Sequence, residues 1–113
     1  MFKGLGQLAS LLQNLPRMKA EMESFQQRLG TLTAEGDAGG GMVKVRVNGR
    51  FEMLSCSLSE EVFRMNDREM LEELIRAATN QATDRARQLA AEETGKIAAN
   101  LGVPPGLGLP GMP

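Results

Sequence analysis

Leu8, Leu11, Leu15, Met18, Met22, Phe25, Leu29 and Leu32 recur at alternating steps of three and four along the first third of the chain. This is a heptad seam, the pattern of a helix that buries one narrow stripe. Gln7, Gln13, Lys19, Glu21, Glu23, Gln26, Gln27 and Arg28 flank it and prefer water. The seam needs a partner along its length, either the second long helical stretch or the same helix of another copy. Residues 1–6, with Gly4 and Gly6, read as a loose start, and helical periodicity begins near Gln7. Pro16 leaves two readings. The helix runs through it with a kink, at a cost of about 3 kcal/mol, or Asn14 caps a fresh start with Pro16 in the first turn. Under both readings residues 17–32 form the firm helix.

The period then changes. Thr31, Thr33 and Glu35 alternate with Leu32, Ala34 and Gly36, which suggests a short strand, and Gly39-Gly40-Gly41 reads as a turn. From Met42 to Asn48 the alternation is clean: Val43, Val45 and Val47 face one way, Lys44 and Arg46 the other. Asn48-Gly49 predicts a two-residue type I′ hairpin, because both residues tolerate positive φ. That loop sets Val47 opposite Arg50, Val45 opposite Glu52 and Val43 opposite Leu54. The apolar face then continues through Leu54, Cys56 and Leu58 without a bulge. Phe51 and Met53 would join Lys44 and Arg46 on the other face. A connector with one helical turn spans Ser59 to Met65. Asn66, with Glu69 three residues on, predicts a capping box, and Asp67 and Glu69 suit the positive helix start. The helix it starts carries Leu71, Leu74, Ile75, Ala78, Ala82, Ala86 and Leu89 on one stripe, with alanines that permit close approach. Gly95 is its weak point, and Gly102 with Pro104 and Pro105 is its expected end. The predicted organisation is one domain over residues 1–101 and a flexible Pro/Gly-rich tail over 102–113.

A chain of 113 residues buries only about two thirds of its unfolded surface, and two thin helices on a small sheet bury less, which favours a dimer. The candidate dimer seams are the strand face of Val43, Val45, Val47 and Leu54 and the Ala-lined helix with Leu74 and Ala78. Net charge is −1, which does not suggest a strongly basic nucleic-acid binder. Residues 1–36 hold four basic and three acidic groups, 37–66 four of each, and 67–113 five and seven. Cys56 is the single cysteine, so no intrachain disulfide forms, and a reduced cytoplasmic setting is expected. No signal peptide is read at the N-terminus, and no stretch nears twenty apolar residues.

Candidate chemistry is sparse. With no histidine, the usual catalytic triads and nearly all zinc sites are excluded. Cys56, on the expected apolar strand face, reads as an inert core thiol. The pairs Glu60-Glu61, Glu72-Glu73 and Glu92-Glu93 point in divergent directions and read as solvated charge. Gly39-Gly40-Gly41 leads into a strand rather than a helix, so it is no phosphate cradle. Four Phe with no Trp or Tyr argue against base stacking. The expectation is a non-enzyme with no cofactor, no metal, no small-molecule substrate and no membrane contact. Arg17, Lys19 and Arg28 on the first helix and Arg85, Arg87 and Lys96 on the last could form a basic edge. Alternatively each is a solvated charge paired locally with Glu21, Asp84 or Glu92.

The ordered set Met1-Phe2, Gly4-Leu5-Gly6, the Gln- and Met-rich heptad helix, Gly40-Gly41-Met42-Val43-Lys44-Val45, Asn48-Gly49, Glu69 to Ile75, Ala77-Ala78, Asn80, Ala82 and the Pro-Pro-Gly tail resembles the YbaB/EbfC family of bacterial nucleoid-associated proteins. The resemblance implies an α+β protomer with a long N-terminal helix, a three-stranded antiparallel sheet and C-terminal helices, assembled as a tweezer-like homodimer. It implies binding to double-stranded DNA in the bacterial nucleoid with little sequence preference. It assigns the contacts to the helices carrying Arg17, Lys19, Arg28, Arg85, Arg87 and Lys96. The alternative is a dimeric protein-interaction adaptor without direct DNA binding.

Overall fold

The structure, a computed structural model, describes residues 2–100, with side chains from residue 6 onward. The element order is α1 (Phe2–Thr31), β1 (Thr33–Ala38), β2 (Val43–Asn48), β3 (Met53–Leu58), α2 (Glu60–Arg64) and α3 (Arg68–Asn100). The architecture is the expected α+β arrangement, with one antiparallel sheet in the order β1-β2-β3. It is a rod of 73 × 22 × 17 Å. The expected helix end at Gly102 and the tail at 102–113 lie outside the described residues.

The first helix begins at Phe2 rather than near Gln7, so Gly4 and Gly6 lower its propensity without interrupting it. It also runs through Pro16, which settles the two readings in favour of a single helix. Pro16 has no N–H to donate to the Leu12 carbonyl, and water can satisfy that carbonyl because residues 6–20 are all exposed. The far end is well tied. Gly49 N donates to the carbonyls of Leu29 (2.8 Å) and Leu32 (3.0 Å), which otherwise lack partners at a helix C-terminus.

This contact explains why the hairpin departs from the type I′ expectation. Neither Asn48 nor Gly49 has positive φ; Phe51 does, at 64°. The Asn48 side chain organises a three-residue loop instead: its Oδ1 accepts from the N–H groups of Arg50 and Glu52, both at 3.0 Å, and its Nδ2 donates to Glu52 Oε1 at 2.8 Å. Glycine at 49 serves close approach, since a Cβ there would come within 2.7 Å of the Leu29 carbonyl oxygen. The longer loop shifts the register. Val47 pairs with Met53, Val45 with Cys56 and Val43 with Leu58, with an irregularity between Arg46 and Val47. Leu54 falls in that bulge and does not oppose Val43, and Met53 shares the valine face.

The three glycines at 39–41 make the expected turn, each with positive φ. After α2, Asn66 takes φ 48° and closes the turn, so the cap of α3 moves one residue on: Asp67 Oδ1 accepts from Met70 N at 3.1 Å. Gly95 does not break α3, which continues to Asn100.

The core joins Ala34, Val43, Val45 and Val47 of the sheet to Ala78, Ala82 and Ala86 of α3. At Gly36 helix and strand backbones meet so closely that a Cβ would fall on the Ala78 carbonyl oxygen and 2.5 Å from Ala82 N. Val43, Val45 and Val47 and Ala78 are buried inside the protomer, at 0–2% exposure. Within the protomer they face α3, where the sequence offered them as a seam between copies; Leu74 is partly buried on the same core. Only Leu54 of the expected seam is open, at 48%. The reason is width. A helix about 10 Å across covers two strands spaced about 4.8 Å apart, and α3 packs chiefly over β1 and β2. Every β3 residue from Met53 to Ser57 is therefore exposed, Cys56 included, so that thiol is not the core residue expected.

Candidate nucleic-acid interface

The six candidate cations occupy three places. Arg17 and Lys19 sit on the exposed arm of α1, and among the described residues neither has an ion-pair partner, Glu21 included. Arg28 and Lys96 meet at a clasp between α1 and α3. Arg28 Nε donates to Glu93 Oε2 at 3.2 Å and Lys96 Nζ to Glu93 Oε1 at 3.1 Å, while Arg28 Nη1 reaches Ser24 Oγ at 2.9 Å. Arg85 and Arg87 lie beside the sheet. Arg85 Nη1 donates to the Glu35 carbonyl at 2.7 Å, and Arg87 Nη1 pairs with Asp84 Oδ1 at 3.3 Å.

Glu93 is the surprise in this set. It is only 8% exposed, whereas the sequence reads the Glu92-Glu93 pair as solvated charge. Neighbours on a helix diverge, so Glu92 faces water and Glu93 turns toward α1. The hydrogen bond from Lys96 is the largest influence on its carboxyl. Together with the charges of Lys96 and Arg28 it holds the group below the usual carboxylate range, against the opposing effect of burial. The partner expected from spacing, Glu92, is not the one used.

The cations therefore differ in what they can give to a ligand. Arg17 and Lys19 are exposed and have no ion-pair partner among the described residues. The Arg87–Asp84 pair is exposed on both sides and holds its arginine weakly. Arg28 and Lys96 keep some donors but are held by Glu93. Arg85 is anchored to a strand carbonyl and acts as a brace. Cations outside the six are placed by the sheet register: Lys44 and Arg46 are exposed on the polar sheet face, opposite Asp37 and Glu35. Arg50 Nε donates to the Gln26 carbonyl at 3.0 Å and ties the hairpin to α1. Arg64, Arg68 and Arg76 each pair with a glutamate three or four residues away.

Dividing the charge where the structure divides the molecule changes the electrostatic reading. Residues 1–20 contain Lys3, Arg17 and Lys19 and no acidic residue; the remaining 93 contain ten cations and fourteen acidic groups. A split at residue 36 hides this, because Glu21, Glu23 and Glu35 cancel the arm. Thus the part of α1 that projects from the body is purely cationic on a chain of net charge −1.

Residues 4–101 match the model of the YbaB/EbfC DNA-binding family. A nucleoid-associated protein of Syntrophobacter fumaroxidans is 43% identical over 101 residues, which cover 89% of this chain and 91% of that one. A nucleoid-associated protein of Rhizobium meliloti is 37% identical over 103 residues, covering 91% of this chain and 96% of the other. In structure the chain is similar to an uncharacterized protein from Helicobacter pylori, with a TM-score of 0.59 and 24% identity over 85% of this chain and 94% of that one. That last likeness concerns the fold alone.

Proposed function

The chain belongs to the YbaB/EbfC DNA-binding family, and from that premise we propose that it binds duplex DNA in the bacterial nucleoid through phosphates, with little sequence preference and without catalysis. The observation that carries this reading is the arm: a projecting helix with Arg17 and Lys19 unpaired among the described residues and no carboxylate before Glu21. Side chains of this kind displace counterions from the duplex and contact both strands irrespective of base. Arg87, Arg28 and Lys96 add contacts when their carboxylate partners yield, and Arg85 positions α3.

We further propose that the active unit is a homodimer joined at the β3 edge. The two edges of the sheet are treated differently. On β1, Asp37 N donates to Gln81 Oε1 at 2.7 Å and the Glu35 carbonyl accepts from Arg85, so α3 seals that edge. On β3 the edge stays open beside exposed Phe51, Met53 and Leu54. An open apolar edge is a template for a second strand.

The test is retardation of several unrelated duplexes over a salt series. Parent protein should bind all of them, with affinity falling as salt rises. The R17E/K19E double variant should weaken every duplex alike and flatten the salt slope by about 0.9 for each phosphate it no longer neutralises. Affinity indifferent to salt would sink the phosphate mechanism. No retardation at low salt, with a protein partner retained after nuclease treatment, would select the adaptor reading.

A further inference from the structure

We propose that the outer face of the sheet is a second docking surface for duplex DNA, where Lys44 and Arg46 of β2, with Ser55 and Ser57 of β3, grip consecutive phosphates of one strand. The proposal rests on the DNA-binding reading and adds to the arm a site on the body. The two faces of the sheet are unlike. The valine face is taken by α3. On the opposite face β1 presents Glu35 and Asp37, β2 presents Lys44 and Arg46, and β3 presents Ser55 and Ser57, and all six are exposed. Polar side chains of this kind lose hydration if an apolar surface covers them. They suit a charged, hydrated partner, and protein–DNA interfaces are of that kind.

The cations of this face differ from the rest of the body in lacking partners. Ten cations follow residue 20. Eight of them hold a carboxylate or a backbone carbonyl, from Arg28 on Glu93 to Arg85 on Glu35. Among the described residues Lys44 and Arg46 are the two that hold neither. Yet the register sets Asp37 opposite Lys44 and Glu35 opposite Arg46, the cross-strand positions at which opposite charges attract. Neither pair closes, and both cations stand exposed.

On their other side the neighbours are hydroxyls: Lys44 pairs with Ser57 and Arg46 with Ser55. A cation beside a hydroxyl is a phosphate-binding combination, because Lys, Arg and Ser side chains supply many of the hydrogen bonds to backbone oxygens of DNA. The two combinations lie two residues apart along the strands, about 6.8 Å, comparable with the separation of consecutive phosphates on one DNA strand. Charge therefore changes across the face, from carboxylates on β1 through cations on β2 to uncharged hydroxyls on β3. A polyanion is repelled at the β1 rim and admitted from the β3 side, where the strand carries no acidic residue. Pairing of two β3 edges would join two such faces. The two β2 rows would then stand three strand spacings apart, about 14 Å, with the serine rows between them and the carboxylates at the far rims.

Full-length protein and several unrelated duplexes test the assignment. The K44Q/R46Q variant removes two charges at exposed positions outside the core, so its circular dichroism and light-scattering mass should match the parent's. Its affinity should fall about tenfold on every duplex, and its salt slope should flatten by about 0.9 for each phosphate it no longer neutralises. In the parent, added duplex should shift the amide resonances of residues 44, 46, 55 and 57. Retardation by K44Q/R46Q equal to the parent's, or those four resonances unmoved by duplex, overturns the proposal and leaves the arm's role intact. An equal response of the four amides to inorganic phosphate, at matched phosphate concentration, assigns the face to free anions and overturns the duplex as its occupant. A parent that retards no duplex at low salt overturns the DNA-binding reading and this site with it.

Discussion

Gly36 shows how a single residue sets the distance between helix and sheet. Its missing Cβ lets α3 backbone atoms at Ala78 and Ala82 rest on the strand. Neither obstacle is a flexible side chain, so G36A must push α3 outward. Destabilisation of about 1–3 kcal/mol is expected from such overpacking, read from the urea midpoint. Glu93 sets the second residue-scale expectation. Its carboxyl is held below the ordinary range, chiefly by the Lys96 hydrogen bond. For a carboxylate depressed in the native state, the stabilisation is complete above the unfolded value of about 4.3 and disappears as pH falls through the lower native value. The melting temperature of the parent should therefore drop further between about pH 6 and about pH 3 than that of E93Q. Parallel curves would show that the clasp carries no titratable stability. Gly36 reads from the sequence only as a small residue in a short strand, and the burial of Glu93 has no local signature, because both depend on what packs opposite.

At the scale of elements, α1 combines two different regimes. Its last three turns rest on α3 and the hairpin, and the turns before residue 21 do not. Pro16 lies in the unsupported part, so P16A should restore one backbone hydrogen bond and raise arm helicity. The gain is bounded by about 3 kcal/mol, and slower amide exchange at residues 8–18 is the measurement that checks it. The helix periods were legible in the heptad seam and in the Leu-Ala stripe of α3, since the 3.6-residue period is a property of the sequence. The hairpin was not. Asn48-Gly49 carries a strong local signal for one turn, but the Asn48 side chain and the contact of Gly49 with Leu29 select another. The resulting bulge re-aims Met53 and Leu54.

At the scale of the molecule, one sheet edge is braced by Arg85 and Gln81 and the other is open. A charge at the open edge should act on assembly rather than on the fold, because Leu54 is outside the core. L54D is expected to keep parent-like circular dichroism while its light-scattering mass falls from two chains to one. The same variant should lose DNA affinity, since a dimer presents two arms to one duplex. A parent mass of one chain at micromolar concentration would remove the dimer from the account. The charge asymmetry also belongs to this scale. It becomes visible only when the chain is divided at residue 20, where the arm leaves the body, and composition alone reports a nearly neutral protein.

The amino-acid sequence by itself determined the element types, the valine face, the alanine stripe and the family resemblance, because these follow from local periodicity and from residues at defined spacing. Only the tertiary structure decided that one helix is too narrow to cover three strands. For that reason β3 and Cys56 stay exposed and Val43, Val45 and Val47 are consumed by the core; the fold also closes Arg28 and Lys96 on a buried Glu93, while Arg17 and Lys19 have no ion-pair partner among the described residues. These outcomes depend on which distant segments meet, and contacts between positions such as 28 and 93 leave no trace in the local pattern at either one.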